Sequence, residues 1–316
     1  MKKQLVKAIS VGAMFAMVTL GLSACSNNGS AGSASGGGKN LALMVSTLNN
    51  PFFVDLSDGA KAEAKAKGYN LEVSDAQNDS ATQANQISNA VSKNVGAVII
   101  NPVDSDAAGP SVSQLNSSNI PVIAIDRGVS TGKLASFVSS DNVAGGKLAA
   151  QTIAKSLGGT GEMIVLQGVP GTSAARDRGK GFEEGIKAFP GIKVVASQTA
   201  NFDRAQGLDV TTNLMQAHPG VKAIFAQNDE IALGAVKALG AKAGKDVLVF
   251  GFDGTDDGLN AIKSGTMLGT VAQQPKELGK MAVDQAISVL EKKQVKKTLP
   301  VEVKIVSKDT VAEYQK

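Results

Sequence analysis

Forked hydrogen-bonding side chains and aromatic rings recur at one kind of place in this chain, just after an apolar run. Asn50, Phe52 and Phe53 follow the first run, Leu41 to Val45. Asn101-Pro102-Val103-Asp104 follows the third, and the fourth ends in Asp126-Arg127. Further along come Gly171-Thr172-Ser173-Ala174-Ala175-Arg176, Asn201-Phe202-Asp203-Arg204, Gln227-Asn228-Asp229, Gly251-Phe252-Asp253-Gly254 and finally Gln273. Taken singly, these residues have ordinary readings. Asn50, Asp141 and Asn228 suit helix N-caps, Asp126-Arg127 an ion pair, Arg176 a solvated helix, and the phenylalanines a core. Their shared address points instead to one common site.

The chemistry that such a set suits is a sugar. A sugar ring has apolar C–H faces and a rim of hydroxyls. Phe52, Phe53 and Phe202 could cover the faces, while carboxylates, amides and guanidinium groups hold adjacent hydroxyls in pairs. Every hydroxyl both donates and accepts, so a mixed set is needed. A site that pairs each hydroxyl also rejects analogues lacking one, because its own buried groups are then left unpaired.

The elements that must position these residues follow from periodicity. Short Val/Ile-rich runs are expected as strands at Leu41–Ser46, 70–74, 97–101, 122–126 and 136–139. Others follow at 162–167, 193–198, 223–227, 247–252, 268–272 and 301–306. Between most of them lie helical patterns such as Ile87, Ala90, Val91, Val95. Strict β–α alternation predicts parallel sheets covered by helices on both faces. Ligands of such sheets bind beyond the carboxyl ends of the strands, where the residues above stand. The units are too many for one sheet, which predicts two doubly wound domains. Near Ser139-Ser140-Asp141 one strand follows another without a helix. At Gln273-Gln274-Pro275 a Pro opens a helix right after a strand. Both places read as crossovers between sheets.

The chain has 316 residues, 43% of them hydrophobic, enough for sizeable cores. Met1 to Lys7 is basic and Ala8 to Leu22 is apolar, too short a run for a comfortable membrane span. It ends in Leu22-Ser23-Ala24-Cys25, and Cys25 is the single cysteine. Those residues resemble a bacterial lipoprotein signal, which implies cleavage before Cys25 and a lipid on its sulfur. Residues 26–38 are Ser, Asn, Ala and Gly, the composition of a flexible tether. Removing Lys2, Lys3 and Lys7 lowers the net charge from +4 to +1, which leaves no electrostatic case for nucleic acid.

From Leu41 to Val306 the motifs are similar to those of bacterial ribose-binding proteins, the sugar receptors of ABC importers. Ser46–Phe53, Asn101-Pro102, Ile125-Asp126-Arg127, Gly171–Arg176, Phe202-Asp203-Arg204, Phe225–Asp229, Gly251–Thr255 and Ala272-Gln273 occur in the family's order. The resemblance implies two α/β domains joined by three hinge strands, the third near Val301–Val303, with D-ribose enclosed between them. It implies a site of Asn50, Phe52, Phe53, Asp126 and Arg127 from the first domain, Arg176, Phe202, Asn228 and Asp253 from the second, and Gln273 from a hinge. The expected partition is a leader over 1–24 and a tether over 25–40. The first domain takes 41–140 with 274–301, and the second 141–273 with 302–316. Also implied are a permease and ATPase as partners and a monomer without cofactor or metal. The N-terminus departs from the family, many of whose members are free in the periplasm: the lipoprotein signal implies instead a lipid anchor on the outer face of the cytoplasmic membrane.

Other classes fit less well. Sugar-responsive repressors share the core but need a helix-turn-helix where the leader and tether stand. A glycosidase reading would pair Asp126 with Asp253, yet Arg127 beside Asp126 is expected to hold its pKa down. Single His and Cys residues give metal and triad schemes little to work with. Receptors of this fold for allose, galactose or autoinducer-type furanosyl ligands remain the alternative within the class. The anchor reading has a direct check. Cys25→Ala is expected to shift the protein from the membrane to the soluble fraction; retention on membranes would contradict it.

Overall fold

A computed structural model describes residues 38–314. The expected leader, Cys25 and nearly all of the tether lie outside them. The first sheet contains β1 (Asn40–Val45), β2 (Asn70–Asp75), β3 (Ala97–Ile100), β4 (Val122–Ile125), β5 (Ser136–Ser140) and β11 (Thr298–Val301), in the order β11-β5-β4-β3-β1-β2. The second contains β6 (Thr160–Gln167), β7 (Gly191–Thr199), β8 (Val221–Ala226), β9 (Leu248–Asp253), β10 (Gly269–Ala272) and β12 (Lys304–Ser307), in the order β12-β10-β9-β8-β6-β7. All pairings are parallel except β10 with β12.

Each sheet is buried on both faces, which explains its continuous apolar runs. In the first lobe, Leu41, Leu43, Ile99 and Ile123 meet α1 (Pro51–Ala66) and α9 (Pro275–Leu290). Met44, Val98, Ile100 and Val122 point the other way, to α2 (Ser80–Ser92) and α3 (Gly109–Ser117). In the second lobe, Val165, Phe225 and Phe250 face α4 (Asn142–Ser156) and α5 (Ser173–Ile186). Ile164, Ile224 and Val249 face α6 (Arg204–Ala217), α7 (Asp229–Leu239) and α8 (Asp256–Ser264). Among the described residues no helix is long and apolar enough to cross a membrane.

The chain passes between lobes after β5, after β10 and between β11 and β12. The crossings are tied together. The Asp141 N–H donates to Val301 O at 2.9 Å, and Gln274 Nε2 to Glu302 O at 3.0 Å. The single strand expected over 301–306 is therefore two strands of different sheets. The apolar alternation Val301, Val303, Ile305 runs straight through the crossing, so nothing in the pattern marks it. Pro300, which cannot donate to a ladder, stands in β11 at the sheet edge.

Two helix pairs carry residues of the cleft, and glycine lets each pair approach closely. A Cβ on Gly59 of α1 would stand 2.2 Å from Lys276 O of α9, and one on Gly181 of α5 would stand 2.0 Å from Val143 O of α4. Because α4 and α9 leave directly from hinge crossings, these contacts fix the cleft helices to the hinge. Gly181→Ala is expected to force α4 and α5 apart and cost about 1–3 kcal/mol. That clash must outweigh the roughly 1 kcal/mol gained from the helix preference of Ala. A urea midpoint equal to or above the unsubstituted chain's would contradict the close approach.

Candidate functional site

The two sheets point the carboxyl ends of their strands at each other, and the lobes are shut. The Ser105 N–H donates to Gly171 O at 2.9 Å, the Ser173 N–H to Ser105 Oγ at 3.1 Å, and the Gly128 N–H to Ser173 Oγ at 2.9 Å. Between the lobes lies a cavity of about 240 Å³ lined by Asn50, Phe52, Phe53, Asp126, Arg127, Ala174, Arg178, Phe202, Asn228, Asp253 and Gln273.

Nine of the ten expected binding residues line this cavity. The tenth, Arg176, does not. It is exposed, and its Nη1 donates to Gly171 O of its own loop. Arg178 takes its place. Two residues along a helix turn the side chain by about 200°, so Arg176 and Arg178 face opposite ways. The buried stripe of α5 is Ala174, Ala175, Arg178, Gly181, Phe182 and Gly185. Its spacing of three and four was the signal that would have singled out Arg178.

Helix starts deliver the first group. Asn50 caps α1, its Oδ1 accepting from the Phe52 N–H at 2.9 Å, and Pro51 occupies the first turn. Phe52 and Phe53 then meet edge to face, 5.2 Å apart at 82°. Asn228 caps α7 in the same way, through the Ile231 N–H at 2.9 Å, and also lines the cavity. Both residues are cap and wall at once.

Strand ends deliver the charges. Asp126 adopts a φ of 61°, Phe202 of 57° and Asp253 of 131°, a region that non-glycine residues rarely enter. Each such residue costs about 1–3 kcal/mol, and such strain gathers at functional sites. Phe202 is seated over the β6–α5 turn by Gly168, where a Cβ would stand 2.0 Å from its ring. Asn101, at the end of β3, donates from Nδ2 to Asp126 Oδ2 at 3.0 Å. Gln273 Nε2 donates to Asp253 Oδ1 at 2.7 Å.

Two guanidinium groups dominate the electrostatics. Arg127 and Arg178 are only 4% and 3% exposed. Arg127 Nη1 donates to Pro102 O at 3.2 Å, and its Nε lies 3.7 Å from Asp126 Oδ2. Arg178 donates to Asn142 Oδ1 at 2.9 Å and to Gln227 O at 2.7 Å, and its Nη1 lies 3.6 Å from Asp253 Oδ1. Rings alternate with the guanidiniums. The Arg127 carbon is 5.3 Å from the Phe53 centroid and 5.5 Å from that of Phe202; the Arg178 carbon is 5.7 Å from Phe202 and 3.8 Å from Phe252. The Arg127–Phe202 contact crosses the cleft.

Burial pushes Arg127 down to about 10, and Asp126 pulls it back up. Arg178 is lowered by burial, and Asp253 opposes the shift. Burial likewise raises Asp126, although Arg127 and Arg178 both pull it down. The expectation that Arg127 would keep Asp126 low is thus corrected: loss of water outweighs the neighbouring cation. Asp253 is raised well above the usual carboxylate value by burial, with Arg178 pulling it down and Asp229 adding repulsion. Asp229 sits beneath, accepting from the Gly254 and Thr255 N–H groups and from the Thr255 and Thr270 hydroxyls at 2.7–3.1 Å. Burial lifts it to about 6 against those four bonds. It fixes the turn that carries Asp253.

Three buried atoms of this network have no protein partner: Asp126 Oδ1, Arg127 Nε and Gln273 Oε1. They offer one donor and two acceptors. A buried polar atom left unpaired costs about 1–3 kcal/mol, so the site is built to be completed by a ligand that both donates and accepts.

The comparisons with known proteins agree with this geometry. The periplasmic binding protein domain family matches residues 41–294. The chain is 48% identical over 268 residues to the ribose import binding protein RbsB of Escherichia coli strain K12, covering 85% of this chain and 90% of that protein. It is 46% identical over 265 residues to RbsB of Bacillus subtilis strain 168, covering 84% and 86%. A solute binding protein of an ABC transporter from Bacillus halodurans, solved with bound myo-inositol, superposes with a TM-score of 0.83 at 33% identity, covering 89% of this chain and 99% of that one. Another from Actinobacillus succinogenes, solved with bound D-allose, gives 0.82 at 33%, covering 87% and 99%. With its two six-stranded sheets, three crossings and enclosed cleft, the chain belongs to the periplasmic binding protein family.

Proposed function

We propose that this protein is an extracytoplasmic receptor that encloses D-ribose between its two lobes and delivers it to the permease of an ABC importer, whose ATPase powers uptake. The observation that carries this reading is the trio of unpaired buried atoms beside two stacked guanidinium groups. A polyhydroxylated ring answers every part of it. Phe53 and Phe202 cover its faces with Phe52 behind them. Asp126 with Arg127, and Asp253 with Arg178, take adjacent hydroxyls in forks, while Asn50, Asn228 and Gln273 take the rest. Identity of 46–49% to ribose import binding proteins supports the same sugar.

The receptor acts by closing. The cleft residues come from both lobes, so the sugar stabilises the shut form that the permease distinguishes from the open one. It works as a monomer without cofactor, and performs no chemistry on the sugar. The leader ends at residue 24, and lipid on Cys25 holds the body to the outer face of the cytoplasmic membrane through a tether reaching to residue 40. The first domain comprises 41–140 with 274–301 and the second 141–273 with 302–316.

A thermal-shift panel of pentoses and hexoses tests the ligand. Ribose is expected to give the largest rise in Tm, and a larger rise with another sugar would overturn the assignment. Calorimetry then tests the site. Arg178→Ala is expected to weaken ribose binding at least roughly a hundredfold, the loss of about two charge-assisted hydrogen bonds. Arg176→Ala is expected to leave the affinity within about twofold, as exposed charges contribute little. The opposite ranking would show that the wrong face of α5 has been assigned.

A further inference from the structure

The strands of the first sheet are parallel, so all begin at one edge of the lobe, opposite the cleft. The chain enters β1 at that edge, and lysines gather there. Lys39 O accepts from the Asn70 N–H at 2.9 Å, at the start of β2. The Lys133 N–H donates to Asn116 Oδ1 at 2.8 Å just before β5. Lys296 O accepts from Ser136 Oγ at 2.7 Å and Lys297 O from the Phe137 N–H at 2.9 Å, at the start of β5. Lys65 lies in the last turn of α1 and Lys292 just after α9. All six are exposed, and among the described residues none of them forms an ion pair. Three further lysines at this edge are paired: Lys67 with Glu63 and Asp284, Lys93 with Glu72, and Lys293 with Glu291.

Attraction to helix carboxyl ends accounts for Lys65 and Lys292. It does not account for Lys39, Lys133, Lys296 and Lys297, which stand at strand starts. The other end of the lobe has the opposite sign: Asp79, Asp104 and Asp106 stand near the helix starts on the cleft side without ion pairs among the described residues, while Asp55 and Asp58 there are paired with Lys276 and Lys61. This separation of charge is large for a body whose net charge is only +1 after loss of the leader.

We propose that the basic edge of the first lobe docks on anionic lipid headgroups and holds the receptor with its cleft turned away from the bilayer. The orientation rests on the lipid-anchor reading of Cys25. The stretch from Cys25 to Lys39 can reach no further than about 50 Å at full stretch. It joins the body at the basic edge, so the lysines stay near the headgroups at high effective concentration. Basic residues are drawn to a negative surface within about one Debye length, while the acidic cleft side is repelled. Sugar then enters from the far side, and docking to a permease requires the edge to lift off first.

Energy transfer tests this on the lipid-modified full chain, placed on neutral phosphatidylcholine vesicles and on vesicles with about a third phosphatidylglycerol, with acceptor dyes on the headgroups. One donor is attached through Gln294→Cys beside the basic edge, another through Ser80→Cys on the cleft side. On anionic vesicles, transfer from the Gln294→Cys dye is expected to rise at least about twofold over neutral vesicles, while transfer from the Ser80→Cys dye falls. The rise is expected to vanish in about 0.5 M salt, and in the triple variant Lys292→Gln, Lys296→Gln, Lys297→Gln, which should still bind sugar normally. Equal transfer on both vesicle types, or an unchanged rise in the triple variant, overturns the proposal. Protein that washes off neutral vesicles contradicts the anchor alone; its retention on anionic vesicles then supports the basic edge, and its loss there overturns it.

Discussion

Two guanidinium groups sealed between two lobes impose the constraint that the rest of the structure answers. Burying an ion costs several kcal/mol unless geometry and hydrogen bonds offset it. Here each lobe supplies one Arg–Asp set, and rings cover the flat faces of both cations. The Arg127 set is not complete within its own lobe, because Arg127 reaches Phe202 only across the closed cleft. The charges therefore couple closure to occupancy. When the lobes part, the Arg127–Phe202 contact is lost and water returns to the cations. When they shut around a sugar, hydroxyls can replace that water.

Meeting this constraint shapes the backbone. Asp126, Phe202 and Asp253 sit in strained conformations at the ends of strands, and neighbours hold them there. Asn101 orients Asp126, Gln273 orients Asp253, and Asp229 braces the turn after β9. Gln273 belongs to a hinge crossing, and Asn142, which holds Arg178, begins the helix that leaves another. The same residues that order the site thus lie where the lobes pivot. Glycines at the helix contacts let α1 pack closely on α9 and α5 on α4 within each lobe.

Much of this was legible in the sequence, for stated physical reasons. Burial of a parallel sheet on both faces leaves continuous Val/Ile runs, so the α/β class and two domains could be read directly. Caps such as Asn50 and the pair Asp126-Arg127 were visible because local chemistry demands those residue types. The crossing after β11 was hidden from the periodicity, since Val301-Glu302-Val303 alternates as one strand would, and only the family resemblance implied it. Arg178 was passed over for Arg176 although its place in the buried stripe of α5 was available from spacing alone. Phe252 lay adjacent to Asp253 but reads as core. Only the fold brings it 3.8 Å from a guanidinium carbon. The rise of Asp126 was also out of reach, because sequence shows the neighbouring cation and not the loss of water.

The central claim is that a polyhydroxylated ligand completes an unfinished buried network. A high-resolution crystal structure of the ribose complex tests it most directly. The account predicts sugar oxygens within hydrogen-bonding distance, about 2.7–3.2 Å, of Asp126 Oδ1, Arg127 Nε and Gln273 Oε1, with Phe53 and Phe202 on opposite faces of the ring. A bound sugar that leaves those three atoms unpaired, or lies outside the cleft, would contradict it.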